Sequence, residues 1–155
     1  FFVGFGWGKP TPVSPGNLRY GHRIGSAIVS AAGPLSNLVF ALIAAFAIRL
    51  GVVDYVNPYS LNVLRYAGPG DLFVSAVLSL NILLGVFNLI PIPPLDGGRI
   101  AVSLLPHRLA WRFAKIERWG FPILLLLLFT GILGAVMNPL VIFAARTIES
   151  IFGLY

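Results

Sequence analysis

Three long runs without a charged residue constrain the fold of this chain more than any other feature. The runs cover residues 25–48, 72–95 and 119–145, and each is longer than the roughly 20 residues with which a helix crosses the hydrocarbon core of a bilayer. With 57% hydrophobic and only 10% charged residues, the chain is too apolar for a soluble domain of its size. We therefore predict an all-α polytopic membrane protein with three to four transmembrane helices.

The third run can be divided in two ways. It can form one tilted span, or a span followed by a shorter helix after Asn138 and Pro139, because proline interrupts the hydrogen bonds of a helix. We favour the second division, which gives spans at residues 25–48, 72–95 and 119–136 and a fourth helix at residues 139–154. The connections between them are too short to hold another folded domain.

The charges of the chain indicate a membrane topology. Its 11 Lys and Arg outnumber its 5 Asp and Glu, but they flank the apolar runs instead of forming one soluble face, so we predict no nucleic-acid partner. Basic residues dominate residues 1–23 and 99–118, which the positive-inside rule places in the cytoplasm, whereas the balanced segment 49–71 lies outside. Within residues 99–118 four cations have the spacing of an amphipathic helix beside anionic lipid. We predict a multi-pass protein of the cell membrane.

Asp96 is the first candidate for chemistry because it ends the second uncharged run at membrane depth. An ionisable side chain at such a depth is costly and usually pairs with a cation, a metal or a proton pathway. Three prolines between positions 91 and 94 end the preceding helix, and Gly97 and Gly98 allow tight backbone geometry after the acid. On these residues alone two interpretations stand equally. Asp96 is a metal ligand or proton carrier on a broken element, or it caps the helix that follows.

The first residues of the chain have a composition that rejects helix. Residues 1–16 contain four glycines and three prolines, which suit an extended or β segment at the membrane edge or a plain linker. Both interpretations remain open from composition. In either case we predict that residues 1–23 form an extended segment and a cytoplasmic linker ahead of the first span.

Three blocks of the sequence resemble the site-2 proteases, a family of intramembrane zinc metalloproteases. Residues 88–99 (NLIPIPPLDGGR) resemble the motif that supplies the third zinc ligand of the family, and residues 6–13 (GWGKPTPV) and 32–37 (AGPLSN) agree with two further blocks in order and spacing. The resemblance is closest to small bacterial and archaeal members without accessory domains. It implies that residues 1–155 form a single membrane-embedded peptidase domain.

The resemblance also implies roles for individual residues. Asp96 matches the aspartate that binds one zinc ion together with two histidines of an H-E-x-x-H helix. Asn88 matches an asparagine that contacts the substrate or the reacting carbonyl. Asn37 matches a supporting asparagine, although its residue type alone favours a hydrogen bond between helices. Four residues match a membrane-associated strand that pairs with an extended substrate: Gly6, Trp7, Gly8 and Lys9.

The chain departs from the family in its histidines. His22 and His107 are each followed by arginine, and neither has a second histidine four residues later. A zinc protease of this type needs two histidines on one helix face and a glutamate as general base. In the family the H-E-x-x-H helix precedes the block that matches residues 6–13, and this chain does not begin with Met. Either the chain is truncated at its N-terminus or it is a relative that never had this helix. The absent Met favours truncation, with both histidine ligands upstream of Phe1 and no activity of the chain alone.

The resemblance implies a protease that hydrolyses peptide bonds in or near transmembrane segments of membrane proteins, with its active site near the cytoplasmic side. Zinc would activate the attacking water. The alternative is a non-catalytic membrane scaffold or a proton-relay protein, in which Asp96 caps a helix or carries a proton. An H-E-x-x-H sequence upstream of Phe1 would distinguish the two.

Overall fold

The computed structural model describes residues 21–56 and 67–154, and this part of the chain is almost entirely helical. The helices are α1 (Gly21–Arg49), α2 (Pro69–Leu89), α3 (Asp96–Leu104), α4 (His107–Phe129) and α5 (Ile132–Phe152). No strand occurs among the described residues, which agrees with the predicted all-α class. The extended segment predicted at residues 1–16 lies outside them.

Three of the helices are long and apolar enough to cross a membrane. They are the Arg23–Arg49 part of α1, the whole of α2 and the whole of α5. Their outward surfaces carry large apolar side chains, such as Phe40, Phe73 and Phe143, which are more than half exposed. Such a continuous apolar surface suits contact with lipid and not with water. The predicted fold class, a helical membrane protein with three to four such helices, is confirmed.

Small residues let α1 approach its neighbours closely. Ala41, Ala44 and Ala45 of α1 are buried against Leu78 and Ile82 of α2, and these residues belong to the main apolar core. Between apolar helices in a membrane, small side chains allow the backbones to come near each other, and the closer van der Waals packing stabilises the pair. α1 contacts both α2 and α3.

The third uncharged run divides earlier than its sequence predicts. α4 ends at Phe129 and α5 begins at Ile132, so the expected break at Asn138 and Pro139 lies inside α5. Gly131 takes a φ of 76° between the helices, a left-handed conformation that ends a helix and that glycine adopts without strain. Pro139 only removes one helical hydrogen bond, and apolar helices tolerate this when neighbours cover the freed carbonyl.

α4 therefore replaces the predicted span at residues 119–136. Its first half carries the predicted basic helix, and only residues 119–129 are uncharged. At 1.5 Å per residue this uncharged part is roughly 16 Å long, about half the thickness of a hydrocarbon core. The third helix long enough to cross a membrane is α5.

Hydrogen bonds to side-chain acceptors connect the segment after α1 to the beginning of α2. The carboxylate of Asp71 accepts hydrogen bonds from the backbone N–H groups of Asp54 and Gly68, each at 2.9 Å. The hydroxyl of Ser75 accepts one from the N–H of Val56 at 3.0 Å, and Ser75 is almost completely buried. These bonds give partners to two backbone donors in the segment after α1 and to the N-cap residue of α2.

α5 runs from the Asp96 end of the bundle to the Asp71 end. Near its start Met137 is buried with Ile90 and Leu95 of the loop before Asp96. Near its end Glu149 accepts a hydrogen bond from the hydroxyl of Tyr55 at 2.9 Å. α5 therefore lies antiparallel to α2.

Candidate functional site

Asp96 is the first residue of α3, at the end of the loop that follows α2. Leu95 holds the N-cap position, and no side chain makes a capping hydrogen bond there. The structure therefore does not give Asp96 the capping role that the sequence allowed. The side chain of Asp96 is partly exposed, and no described residue donates a hydrogen bond to its carboxylate.

The loop between α2 and α3 is compact because its backbone bonds to itself. α2 ends at Leu89, ahead of the prolines, as their positions predict. The N–H of Ile92 then donates to the carbonyl of Ile90 at 2.8 Å, and the N–H of Leu95 donates to the carbonyl of Ile92 at 3.0 Å. Ile90 and Leu95 are buried. The loop is thus compact and presents Asp96 on a broken element between α2 and α3.

Gly97 and Gly98 follow Asp96 because the first turn of α3 lies directly against this loop. A Cβ on Gly97 would lie 2.5 Å from the carbonyl oxygen of Ile90. A Cβ on Gly98 would lie 2.6 Å from the carbonyl carbon of Ile92. A side chain at either position would therefore have to move backbone atoms. The two glycines fix the distance between Asp96 and the end of α2.

α4 contacts the same loop through Gly120. A Cβ on Gly120 would lie 2.8 Å from the Cδ of Pro94 and would overlap the carbonyl group of Pro93. Gly120 and Pro93 are both buried. The loop before Asp96 is therefore held on one side by α3 and on another by α4, and both contacts depend on glycine.

α1 approaches Asp96 at Gly33. A Cβ on Gly33 would lie 2.7 Å from the Oδ2 atom of Asp96. Three residues later the hydroxyl of Ser36 donates to the carbonyl of Gly33 at 2.7 Å, so this turn of α1 is internally bonded next to Pro34. The glycine leaves the room that the Asp96 carboxylate occupies.

Of the two candidate asparagines, Asn37 lies where α1 and α2 meet. Gly85 of α2 is buried, and a Cβ there would lie 3.6 Å from the Cβ of Asn37. Asn88 follows Gly85 by three residues, which places it about one turn further along α2 toward the loop. Both asparagines are partly exposed, and neither side chain makes a hydrogen bond with a described residue. The hydrogen bond between helices that the residue type of Asn37 favours is not present among the described residues.

The first cation after Asp96 in the sequence, Arg99, and a cation of α1, Arg23, are bonded elsewhere. Arg99 pairs with Glu117 of α4 at 3.7 Å, and both side chains are about half exposed. The guanidinium of Arg23 donates to the carbonyl of Ser103 at 3.2 Å and to that of Leu105. Within residues 21–56 and 67–154, the Asp96 carboxylate has no ion-pair partner.

This environment fits one ligand of a metal site. A carboxylate oxygen with no protein donor beside it suits a divalent cation such as zinc. In the part of the chain that the structure describes, no three His, Cys, Asp or Glu residues lie close enough together to hold a metal ion. A catalytic zinc takes three protein ligands. The described residues therefore provide Asp96 and not a complete ligand set.

The structure brings some of the predicted site residues close together. Asp96 and the block containing Asn37 are brought together through Gly33, whereas Gly6, Trp7, Gly8 and Lys9 lie outside the described residues. Sequence reasoning missed Gly33, Gly85 and Gly120 as specific contacts. A glycine inside an apolar helix signals close backbone approach, and this signal was present at Gly33 and Gly85, but it does not name the partner. Gly120 gave no local signal.

Comparisons with known proteins identify the family of the chain. The sequence profile described as Peptidase family M50 matches residues 51–131, which include Asp96 and Asn88. The Bacillus subtilis (strain 168) protein named "Putative zinc metalloprotease YwhC" is 37% identical over 141 residues, which are 89% of this chain and 61% of the relative. The chain thus spans about 61% of the length of that relative.

A second relative matches a shorter part of the chain. The Streptococcus pyogenes serotype M3 (strain SSI-1) protein named "Putative zinc metalloprotease SPs1691" is 36% identical over 85 residues, 46% of this chain and 20% of the relative. No solved structure matches the chain significantly.

Proposed function

The chain belongs to peptidase family M50, the site-2 proteases, and from this we propose that it is part of an intramembrane zinc metalloprotease. The protease hydrolyses peptide bonds in or near transmembrane segments of membrane proteins. One observation carries the proposal: Asp96 follows the apolar helix α2, has no partner among the described residues and is held by glycine contacts on a broken element. An ionised carboxylate at membrane depth is costly unless a cation pairs with it, and a metal ion can be that cation.

In this proposal Asp96 is one of three protein ligands of a single zinc ion. Two histidines and a catalytic glutamate come from outside the described residues. When bound, zinc polarises the scissile carbonyl and lowers the pKa of its water. Within this chain, Asp96 holds the ion through its carboxylate, and Gly33 leaves the space in which that carboxylate can turn toward the ion.

The substrate side of the proposal concerns residues next to Asp96. Asn88 lies about one turn from the surface where α2 meets Asn37, and we assign both asparagines to contacts with the substrate backbone or the reacting carbonyl. Peptide bonds inside a helix are shielded, so the substrate must be extended before it is cleaved. In this proposal Gly6, Trp7, Gly8 and Lys9, which lie outside the described residues, bind the extended substrate.

The location of the site follows from the charges. Basic residues near the Asp96 end support our proposal that this end is at the cytoplasmic side of the cell membrane and the Asp71 end outside. Residues 1–155 alone bind zinc weakly and do not cleave, because they offer one ligand where a catalytic zinc needs three.

The test is Asp96→Asn in the full-length protein. Asparagine keeps the size of the side chain but removes the anion, so zinc content should fall and cleavage of a membrane-protein reporter substrate should fall at least about a hundredfold. Protein abundance should not change, because a neutral side chain costs less at membrane depth.

The matched control is Asp54→Asn, an exposed aspartate at the other end of the bundle, which should leave zinc and cleavage unchanged. If Asp96 only capped a helix, Asn would cap about equally well and the substitution would be silent. Full cleavage by Asp96→Asn would therefore contradict the proposed zinc site at Asp96, whereas no cleavage by the wild-type protein would favour the scaffold.

A further inference from the structure

The first half of α4 carries a face that takes no part in holding the loop before Asp96. At about 100° per residue, six exposed residues fall on one side of this helix, within about 120°. We name it the basic–aromatic face, and it consists of Arg108, Trp111, Arg112, Lys115, Arg118 and Trp119. The ammonium group of Lys115 lies 3.5 Å from the centre of the Trp111 ring, a cation–π contact that holds the two together.

The other side of α4 contacts protein. Glu117 pairs with Arg99 of α3, and Gly120 lies against the loop at Pro93. None of the four cations of the basic–aromatic face makes an ion pair with any residue in the described ranges. One side of α4 thus contacts α3 and the loop before Asp96. The opposite side, the basic–aromatic face, has no ion-pair partner among the described residues.

The second half of α4 indicates what covers the charged side. Residues 119–129 are uncharged, and Leu126, Leu128 and Phe129 are more than half exposed, as expected for contact with hydrocarbon. Cations immediately ahead of such a segment lie at the level of the lipid headgroups, where tryptophan is also enriched. The group complementary to four unpaired cations at that level is the phosphate of an anionic phospholipid.

We propose that the basic–aromatic face binds the headgroups of anionic phospholipids and that this contact fixes the position of the loop that carries Asp96. Gly120 transmits the contact, because its backbone touches Pro93 with no side chain between them. A change in the depth of α4 at the membrane surface must therefore move the loop. The proposed lipid binding does not depend on the proposed function, whereas its consequence for cleavage rests on that function.

Lipid binding is tested by the lipids that the full-length protein retains. The protein is reconstituted in vesicles with equal phosphatidylglycerol and phosphatidylcholine, extracted in mild detergent, and its bound lipids are identified by native mass spectrometry. The wild-type protein should be enriched in phosphatidylglycerol. The double variant Arg108→Gln/Arg112→Gln should lose roughly tenfold or more of this preference, since each surface cation contributes separately to anionic-lipid binding.

The control variant Arg49→Gln/Arg146→Gln removes two exposed cations elsewhere and should retain the preference. Equal retention of both lipids by the wild type would overturn the proposal and leave the face to an acidic protein partner. An unchanged preference in Arg108→Gln/Arg112→Gln would overturn it as well, because the anionic lipid would then bind elsewhere.

The link to the loop is tested without measuring cleavage. Residues 1–155 contain no cysteine, so Leu89→Cys, at the exposed end of α2, gives one thiol beside the loop once any other cysteines of the full-length protein are replaced by serine. Its rate of maleimide labelling should change at least twofold when phosphatidylglycerol is added to phosphatidylcholine vesicles. The change should disappear with Arg108→Gln/Arg112→Gln.

Equal labelling rates in both lipids would overturn the link between lipid and loop. If lipid retention and labelling behave as expected but no zinc or cleavage is found, the proposed function fails and the lipid site stands. If cleavage is found without a preference for the anionic lipid, the lipid site fails and the proposed function stands.

Discussion

Gly33 of α1 and Asp96 of α3 are in direct contact, because a Cβ at position 33 would lie 2.7 Å from the carboxylate oxygen Oδ2. The contact joins residues 32–37 to residues 88–99, two of the three blocks in which the sequence resembles the site-2 proteases. The room available to the Asp96 carboxylate is therefore set by a residue on a different helix.

Gly33→Ala should weaken the site without unfolding the protein. The new Cβ displaces the end of a short side chain and no backbone atom, so the fold should persist while the carboxylate turns away. For a residue that positions a ligand we expect a loss of about 10–100-fold in zinc affinity or cleavage. Zinc per protein and reporter cleavage are measured in the full-length protein.

The matched control for this change is Gly134→Ala in α5, where a Cβ would meet nothing within 4 Å. Alanine there should leave the site unchanged and should favour the helix by roughly 0.5–1 kcal/mol. Wild-type zinc content and cleavage in Gly33→Ala would show that this contact does not position Asp96.

Gly120→Ala should act on stability as well as on the site. Its Cβ would overlap the carbonyl group of Pro93, and backbone atoms cannot rotate away as a side chain can. Overpacking of this kind costs about 1–3 kcal/mol, so we expect a lower thermal midpoint in detergent micelles and a lower abundance than for Gly134→Ala. Equal midpoints for the two variants would refute the close contact between α4 and the loop.

Ser75→Ala should destabilise the Asp71 end of the bundle. Its hydroxyl is the acceptor for the N–H of Val56, and the buried donor would lose its partner at a cost of about 1–3 kcal/mol. Ser103→Ala is the control, since that hydroxyl only donates to Arg99 within its own helix and its loss should change stability by less than about 0.5 kcal/mol. Urea or thermal unfolding of both variants measures the difference.

Reporter fusions test the topology. A fusion after Asp54 should report the outside of the cell and a fusion after Leu105 the cytoplasm, because the cations are concentrated near the second position. Both fusions on the same side would mean that α2 does not cross the membrane.

Features with a local cause could be predicted from the sequence. The apolar runs are long enough to show the helical membrane class. The prolines after Ile90 mark the break that follows α2, although α2 ends at Leu89 and the predicted span continued to residue 95. The need for Gly97 and Gly98 was also visible, because two glycines directly after an acid have few other uses in an apolar segment.

Features that depend on distant contacts could not be predicted. Either Gly131 or Pro139 could interrupt the helix in the third run. The sequence does not show that the burial of Met137 and Ile148 stabilises the helix around Pro139. Likewise, Gly33 signals close approach but not that its partner is Asp96. Gly120 carries no signal until the fold brings it to the loop.

The contact at Gly120 also shields backbone carbonyl groups of the loop from the hydrocarbon of the bilayer. A loop that breaks a helix at membrane depth leaves carbonyl groups without helical partners, and exposing such a group to hydrocarbon costs several kcal/mol. α4 is too short in its uncharged part to cross the bilayer, but it lies close enough to bury Pro93. Its glycine brings a helix surface against the broken backbone where lipid tails would otherwise lie. A helix that does not span the membrane thereby lowers the cost of keeping an irregular, polar backbone beside Asp96.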